Sequence, residues 1–72
     1  MPLSPAAKAL IGIFEKHLKA FTLAELRIAL KAAGQPEFVT ISALAECLVR
    51  GRVRKVKPWQ GENAPLYYEL NS

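Results

Sequence analysis

Residues 48–57, LVRGRVRKVK, mark the place where the sequence changes from a helical pattern to a strand pattern. Before this stretch, apolar residues recur at helical spacing. After Gly51, apolar residues and cations interleave, which is typical of an exposed strand. Glycine is also a common residue just beyond the end of a helix. The stretch therefore predicts that a helix ends near residue 50 and that a basic strand begins near residue 52.

The excess positive charge of the chain lies in this same stretch. The 72 residues hold ten Lys and Arg against six acidic residues, a net charge of +4. Residues 1–49 hold five cations and four glutamates (+1), and residues 50–72 hold five cations and two glutamates (+3). A concentrated basic stripe favours a polyanionic partner, because each neutralised phosphate releases counterions. The plainer interpretation, a solvated edge strand whose cations block unwanted strand pairing, stays open.

Length and composition predict one domain, residues 1–72, because a chain of this size has room for one hydrophobic core. Unbroken apolar runs have four residues or fewer, far below the roughly 20 that span a bilayer. The N-terminal residues show no secretory signal, and the single Cys47 cannot form a disulfide within the chain. We therefore expect a cytoplasmic protein that does not associate with membranes.

No residue pattern in the sequence points to catalysis or to a bound cofactor. The six glutamates are scattered, and the one histidine, His17, has no second histidine or cysteine at metal-ligand spacing. No phosphate-binding glycine loop or nucleophile motif is present. We expect a binding module without enzyme activity or metal. We also expect His17 to be a partly buried structural residue and Cys47 to serve in packing.

The first two helices are predicted from capping signals and apolar spacing. Ser4-Pro5 combines a favoured N-cap with a favoured first helical residue, so a helix is expected over about residues 5–20. Thr22 and Glu25 have the spacing of a capping box, in which each side chain accepts a hydrogen bond from the other residue's backbone. They predict a second helix over about residues 23–33.

A third helix is predicted over about residues 41–50. Gly34 should end the second helix in a left-handed conformation, and Thr40 is expected to be the N-cap of the third. The apolar spacing predicts that four residues of this helix face the core: Ile41, Leu44, Ala45 and Leu48. Five positions are then expected to face outward: Ser42, Ala43, Glu46, Val49 and Arg50.

The C-terminal part of the chain is predicted to form a β-hairpin, with strands at about residues 52–58 and 66–70. The intervening residues have the composition of a turn. In the second strand, strict alternation places Leu66, Tyr68 and Leu70 on one face and Tyr67 on the other.

Three short helices followed by a basic hairpin resemble the winged helix-turn-helix superfamily over nearly the whole chain. The resemblance rests on the helices at 22–33 and 40–50, the passage at 48–53 and the last strand at 65–70. It implies an α+β fold, a three-helix bundle followed by a C-terminal β-hairpin wing. It also implies duplex DNA as the partner, with the third helix in the major groove and the wing on phosphates or in the minor groove.

From this resemblance and the charge pattern we expect a small protein that binds double-stranded DNA in transcriptional control or a related DNA transaction. One copy should bind modestly, so a homodimer or a larger protein assembly is a further expectation. The expected DNA-contacting residues lie on the third helix and the wing: Thr40, Ser42, Ala43, Glu46, Arg50, Arg52, Arg54, Lys55, Lys57, Trp59 and Tyr67.

Two alternatives remain open from the sequence. The first is a winged helix that serves as a protein–protein interaction module without DNA binding. It is supported by small residues that permit close packing of a partner helix: Ala24, Ala29, Ala32 and Ala43. The second is binding of single-stranded nucleic acid or RNA by stacking of bases on Trp59 and Tyr67.

Overall fold

The computed structural model describes residues 2–57 and 65–71, which form three α-helices and a small antiparallel sheet. The elements in chain order are α1 (Pro5–His17), β1 (Phe21–Thr22), α2 (Leu23–Ala32), a 3₁₀ turn (Glu37–Val39), α3 (Thr40–Val49), β2 (Val53–Val56) and β3 (Tyr67–Leu70). The strand order is β1-β3-β2, and both pairings are antiparallel. The predicted α+β class, the three helices and the C-terminal hairpin are confirmed.

The caps predicted for α1 and α2 are present. The Ser4 hydroxyl accepts a hydrogen bond from the Ala7 N–H at 3.2 Å, with proline in the first turn. The capping box of α2 is complete, because Thr22 N–H donates to Glu25 Oε1 at 2.9 Å and Glu25 N–H donates to Thr22 Oγ1 at 3.2 Å. Gly34 follows α2 with φ +90°, the left-handed conformation expected of it.

α1 ends at His17, three residues earlier than the spacing predicts, and a short strand that was not predicted follows it. Leu18 adopts a left-handed conformation, φ 50° and ψ 42°, and its N–H donates to the Phe14 carbonyl at 2.8 Å. The chain then extends so that Phe21 and Thr22 pair with β3. Helical spacing is a local signal, whereas the pairing partner of β1 lies more than forty residues away in the sequence.

The hydrophobic core lies between the three helices and one face of the sheet. Phe14 and Phe21 make an edge-to-face contact with ring centroids 5.5 Å apart. His17 is exposed rather than partly buried, because it lies in the last turn of α1 at the rim of the core, where its ring makes an edge-to-face contact with Phe21. The buried apolar side chains are Ala7, Leu10, Ile11, Phe14, Phe21, Leu26, Leu30, Ala43, Leu44, Cys47, Val53 and Tyr68.

The face that α3 presents to the core matches the prediction only in part: Leu44 is buried as expected, but two of the other predicted positions are exposed. Ala43 and Cys47 are buried, whereas Ile41 is 63% exposed and Ala45 is also exposed. The Cys47 thiol donates a hydrogen bond to the Ala7 carbonyl of α1, with 3.8 Å between sulfur and oxygen. Small side chains at these positions let α1 approach α3 closely, and the larger Ile41 is left on the outside. The prediction that Ala43 faces outward is therefore wrong.

Thr40 does not cap α3. The preceding 3₁₀ turn gives Val39 helical backbone angles, so Thr40 is already the first residue of the helix. Its side chain is fully buried, and Thr40 Oγ1 has no hydrogen-bond partner among the residues that the structure describes.

The turn from α3 into β2 is held by backbone hydrogen bonds and by one from a side-chain amide. Gly51 has φ +71°, a conformation that other residues rarely adopt. Arg52 N–H donates to the Cys47 carbonyl at 2.9 Å. Asn71, which follows β3, donates from its side-chain Nδ2 to the Gly51 carbonyl and from its backbone N–H to the Arg52 carbonyl. None of the helices in the described ranges is both long enough and apolar enough to cross a membrane.

Candidate nucleic-acid interface

Cations from two distant parts of the sequence line one concave surface, which we call the basic cleft. Lys8 on α1 lies with Arg50, at the end of α3, and Arg52, which precedes β2; Pro2 and Leu3 complete the lining. All three cationic residues are exposed. Lys8 was not predicted as a site residue, because nothing in its local sequence links it to the stretch at 50–57.

Glu46 holds the N-terminus of α1 against α3. Glu46 Oε2 accepts a hydrogen bond from the Ser4 backbone N–H at 2.9 Å. This hydrogen bond, together with the positive charge of Arg50, lowers the pKa of the Glu46 carboxyl from its ordinary value. Glu46 was expected to contact DNA bases, but its carboxylate already accepts the hydrogen bond from Ser4. We assign it a positioning role, since Ser4 is the N-cap of the helix that carries Lys8.

The cations of β2 do not act as one stripe. Arg54 donates from Nε to Glu69 Oε1 at 2.7 Å, across the antiparallel pair formed by β2 and β3. Lys55 lies one residue further on, in register with Tyr68, and Lys57 is exposed beyond the end of β2. Of the five cations in the stretch at 50–57, the cleft therefore contains Arg50 and Arg52, while the charge of Arg54 is offset by Glu69.

The outward face of α3 has few side chains suited to reading base edges. Ser42 is exposed, and its hydroxyl donates to the Val39 carbonyl at 3.1 Å. Thr40 and Ala43 are 0% and 2% exposed, so their expected contacts with DNA cannot form in this structure. Residues 40–49 include no Lys, Arg, Asn or Gln, which are the usual donors to guanine and adenine.

Of the two aromatic candidates for contacting nucleic acid, the structure describes one. Tyr67 is half-buried on the central strand, paired with Thr22 on one side and Val56 on the other. Trp59 lies outside the described residues.

A second concave surface, which we call the α3 groove, adjoins the outward face of α3. Its lining is almost wholly apolar, and its volume is about 220 Å³. It is formed by the start of α2, the outward face of α3 and the sheet, including Leu23, Ile41, Ala45, Leu48, Lys55 and Tyr68. The sequence did not reveal this groove, because Ile41 and Ala45 were expected to face the core.

The described residues offer no group of three or more His, Cys, Asp or Glu side chains that could hold a metal ion. Cys47 is buried, and this burial raises the pKa of its thiol. Comparison of the sequence with protein-family models and with curated proteins gives no match.

Proposed function

We propose that the chain is a winged helix-like module that binds duplex DNA through the basic cleft and contacts phosphates rather than bases. The observation that carries this proposal is the convergence of Lys8 with Arg50 and Arg52 around one concave surface. Glu46 offsets part of the charge of Arg50, but three cations against one carboxylate leave a net positive surface that favours an anionic partner. Transcriptional control or a related DNA transaction is the process in which we propose that it acts.

The chemistry of the cleft suits a phosphodiester backbone. Arginine presents a planar set of donors that can hold two phosphate oxygens at once, and lysine adds a point charge. If the three cations neutralise three phosphates, the logarithm of the association constant should fall with the logarithm of salt concentration at a slope of about −2.7.

The apolar outward face of α3 supports binding with little sequence preference. Discrimination between bases needs donors and acceptors directed at base edges, and residues 40–49 supply few of them. We therefore expect similar affinity for duplexes of unrelated sequence at equal length and salt concentration.

Removal of single cleft charges tests the proposal. Lys8→Gln and Arg52→Gln should each reduce the steepness of the salt dependence by about 0.9, because each removes one phosphate contact. Lys16→Gln is the matched control, because Lys16 is an exposed lysine of the same helix that lines a different surface. The measurement is fluorescence anisotropy of a labelled duplex at several salt concentrations.

Equal salt dependences for the cleft variants and the control would contradict a role for the cleft. Absence of binding by the unaltered protein at low salt would contradict DNA binding altogether. That second outcome would favour a module that interacts with proteins.

A further inference from the structure

We propose that the α3 groove binds an amphipathic helix of a partner protein, and that a carboxylate on that helix pairs with Lys55. The groove lies on residues other than those of the basic cleft. Nucleic-acid binding and helix binding can therefore succeed or fail separately.

The groove has exposed apolar surface that residues 2–57 and 65–71 do not cover. Ile41 is 63% exposed, Ala45 beside it is exposed, and Leu48 is half-buried one turn further along. These residues are at positions i, i+4 and i+7 of one helix, so they form a continuous stripe. The apolar floor is completed by Leu44 and by Tyr68 of the central strand.

The dimensions of the groove favour side chains of a helix over a small molecule. Pockets for small ligands usually enclose about 300–1,000 Å³, and this groove measures about 220 Å³. From residue 41 to residue 48 it follows α3 for roughly 10 Å, at a rise of about 1.5 Å per residue. A partner helix laid along it would present apolar residues from about two turns, the spacing by which helices bind grooves.

Charge complementarity indicates which helix fits. Lys55 is exposed and is the charged residue in the lining of the groove. A carboxylate on the partner helix would meet the Lys55 ammonium, and a basic residue at the same place would be repelled. The net charge of +4 on the whole chain favours an acidic partner in the same sense.

A second copy of this chain is a poorer occupant. Three of the glutamates that the structure describes are already engaged, Glu25 in the capping box, Glu46 at Ser4 and Glu69 with Arg54. Two copies would also bring together two charges of +4. A separate protein with an acidic amphipathic helix can supply a free carboxylate and does not bring two positively charged chains together.

In the test, the unaltered protein is used to select binders from a displayed library of helical peptides of about 18 residues. This length is chosen because isolated helices shorter than roughly 12–15 residues are marginally stable. Selected peptides should carry apolar residues at helical spacing together with Asp or Glu. Ala45→Arg should lower their affinity at least about tenfold, because it places a bulky charge at the centre of the contact. Ala24→Arg, at an exposed alanine of α2 that does not line the groove, is the matched control.

A charge swap then tests the role of Lys55. When Lys55→Glu is used as the target of the selection, Lys or Arg should be enriched at the peptide position that Asp or Glu occupied with the unaltered protein. Ala45→Arg and Ala24→Arg should both retain duplex binding if the basic cleft functions as proposed. A failure of helix binding can therefore be distinguished from a failure of DNA binding.

Three results would overturn the proposal. The first is failure to enrich any helical peptide, and the second is enriched peptides that Ala45→Arg does not weaken or that lack acidic residues. The third is dimerisation of the unaltered protein that Ala45→Arg abolishes, which would assign the groove to a second copy. Sedimentation analysis at several protein concentrations detects that dimer.

Discussion

The hydroxyl of Thr40 lies in the core without a hydrogen-bond partner in the described part of the chain. A buried polar group in this state costs about 1–3 kcal/mol compared with an apolar group of the same shape. Valine has nearly the same shape as threonine and is also branched at Cβ. We therefore expect Thr40→Val to raise the free energy of unfolding by about 1 kcal/mol, measured by urea denaturation.

Ser42→Ala provides the control for this substitution. Ser42 also carries a hydroxyl in the first turns of α3, but its side chain is exposed. Its removal should change stability by less than about 0.5 kcal/mol. A loss of stability in Thr40→Val would show that the hydroxyl has a partner and would contradict the prediction.

Single residues whose role depends on near neighbours were predictable from the sequence. Ser4, the Thr22–Glu25 box and Gly34 all act within one turn of a helix end, and all were predicted correctly. Thr40 has the same chemistry as Thr22, yet its prediction was wrong. A 3₁₀ turn precedes it, so its backbone is already helical and its side chain turns inward. Residue type alone does not distinguish these two environments.

At the scale of elements, the helices and the hairpin were predictable, but the orientation of α3 was not. Apolar residues occur on both sides of this helix, so spacing alone permits more than one buried face. The choice is made by packing against α1, where the Cys47 thiol meets the Ala7 carbonyl and where Ala43 is buried rather than Ile41. The same limit applies to β1, whose two residues become a strand only because β3 lies beside them.

The contact between α1 and α3 predicts a dependence of stability on pH. The Ser4 N–H lowers the pKa of the Glu46 carboxyl below its ordinary value of 4.5 in the folded chain. The unfolded chain therefore takes up the proton first as the pH falls. The contribution of Glu46 is present above about pH 4.5 and is lost as the pH falls through the folded pKa. Glu46→Gln should remove this part of the acid destabilisation.

Denaturation midpoints in urea at pH 7 and pH 3 measure this effect. Glutamine retains an oxygen that can accept from Ser4 N–H, so the variant should stay folded at pH 7 and lose less stability at pH 3 than the unaltered protein. Glu15→Gln, at an exposed position of α1, serves as the control. Equal acid losses in Glu46→Gln and the unaltered protein would contradict the assigned role of Glu46.

At the scale of the whole molecule, the charge of the stretch at 50–57 was visible in the sequence, but its distribution was not. The sequence indicates where cations are dense, not which neighbours they meet. The fold adds Lys8 to Arg50 and Arg52, and it turns Arg54 toward Glu69. Each of these contacts joins residues that are distant along the chain, so local sequence patterns do not predict them.

Tyr68 links the sheet to the helices, because it lies on the central strand and its side chain belongs to the hydrophobic core. Truncation of a buried aromatic side chain costs about 3–5 kcal/mol, and a domain of 72 residues has roughly 4–11 kcal/mol in total. Tyr68→Ala should therefore lower the melting temperature sharply, with helical and tertiary signals lost in one transition. Circular dichroism in the far and near ultraviolet measures both.

Tyr67→Ala is the control, since Tyr67 is half-buried on the same strand and should be affected less. Helices that persist in Tyr68→Ala after its tertiary signal has gone would contradict this cooperativity.

The strand order also has a consequence for biosynthesis. β3 is the last strand along the chain, yet it lies between β1 and β2. While a ribosome is still translating the codons before residue 67, neither earlier strand has its neighbour. The nascent polypeptide can then form helices but not the sheet. Completion of the fold must wait until residue 70 has emerged from the exit tunnel, so the domain matures in one late step instead of growing from its N-terminus.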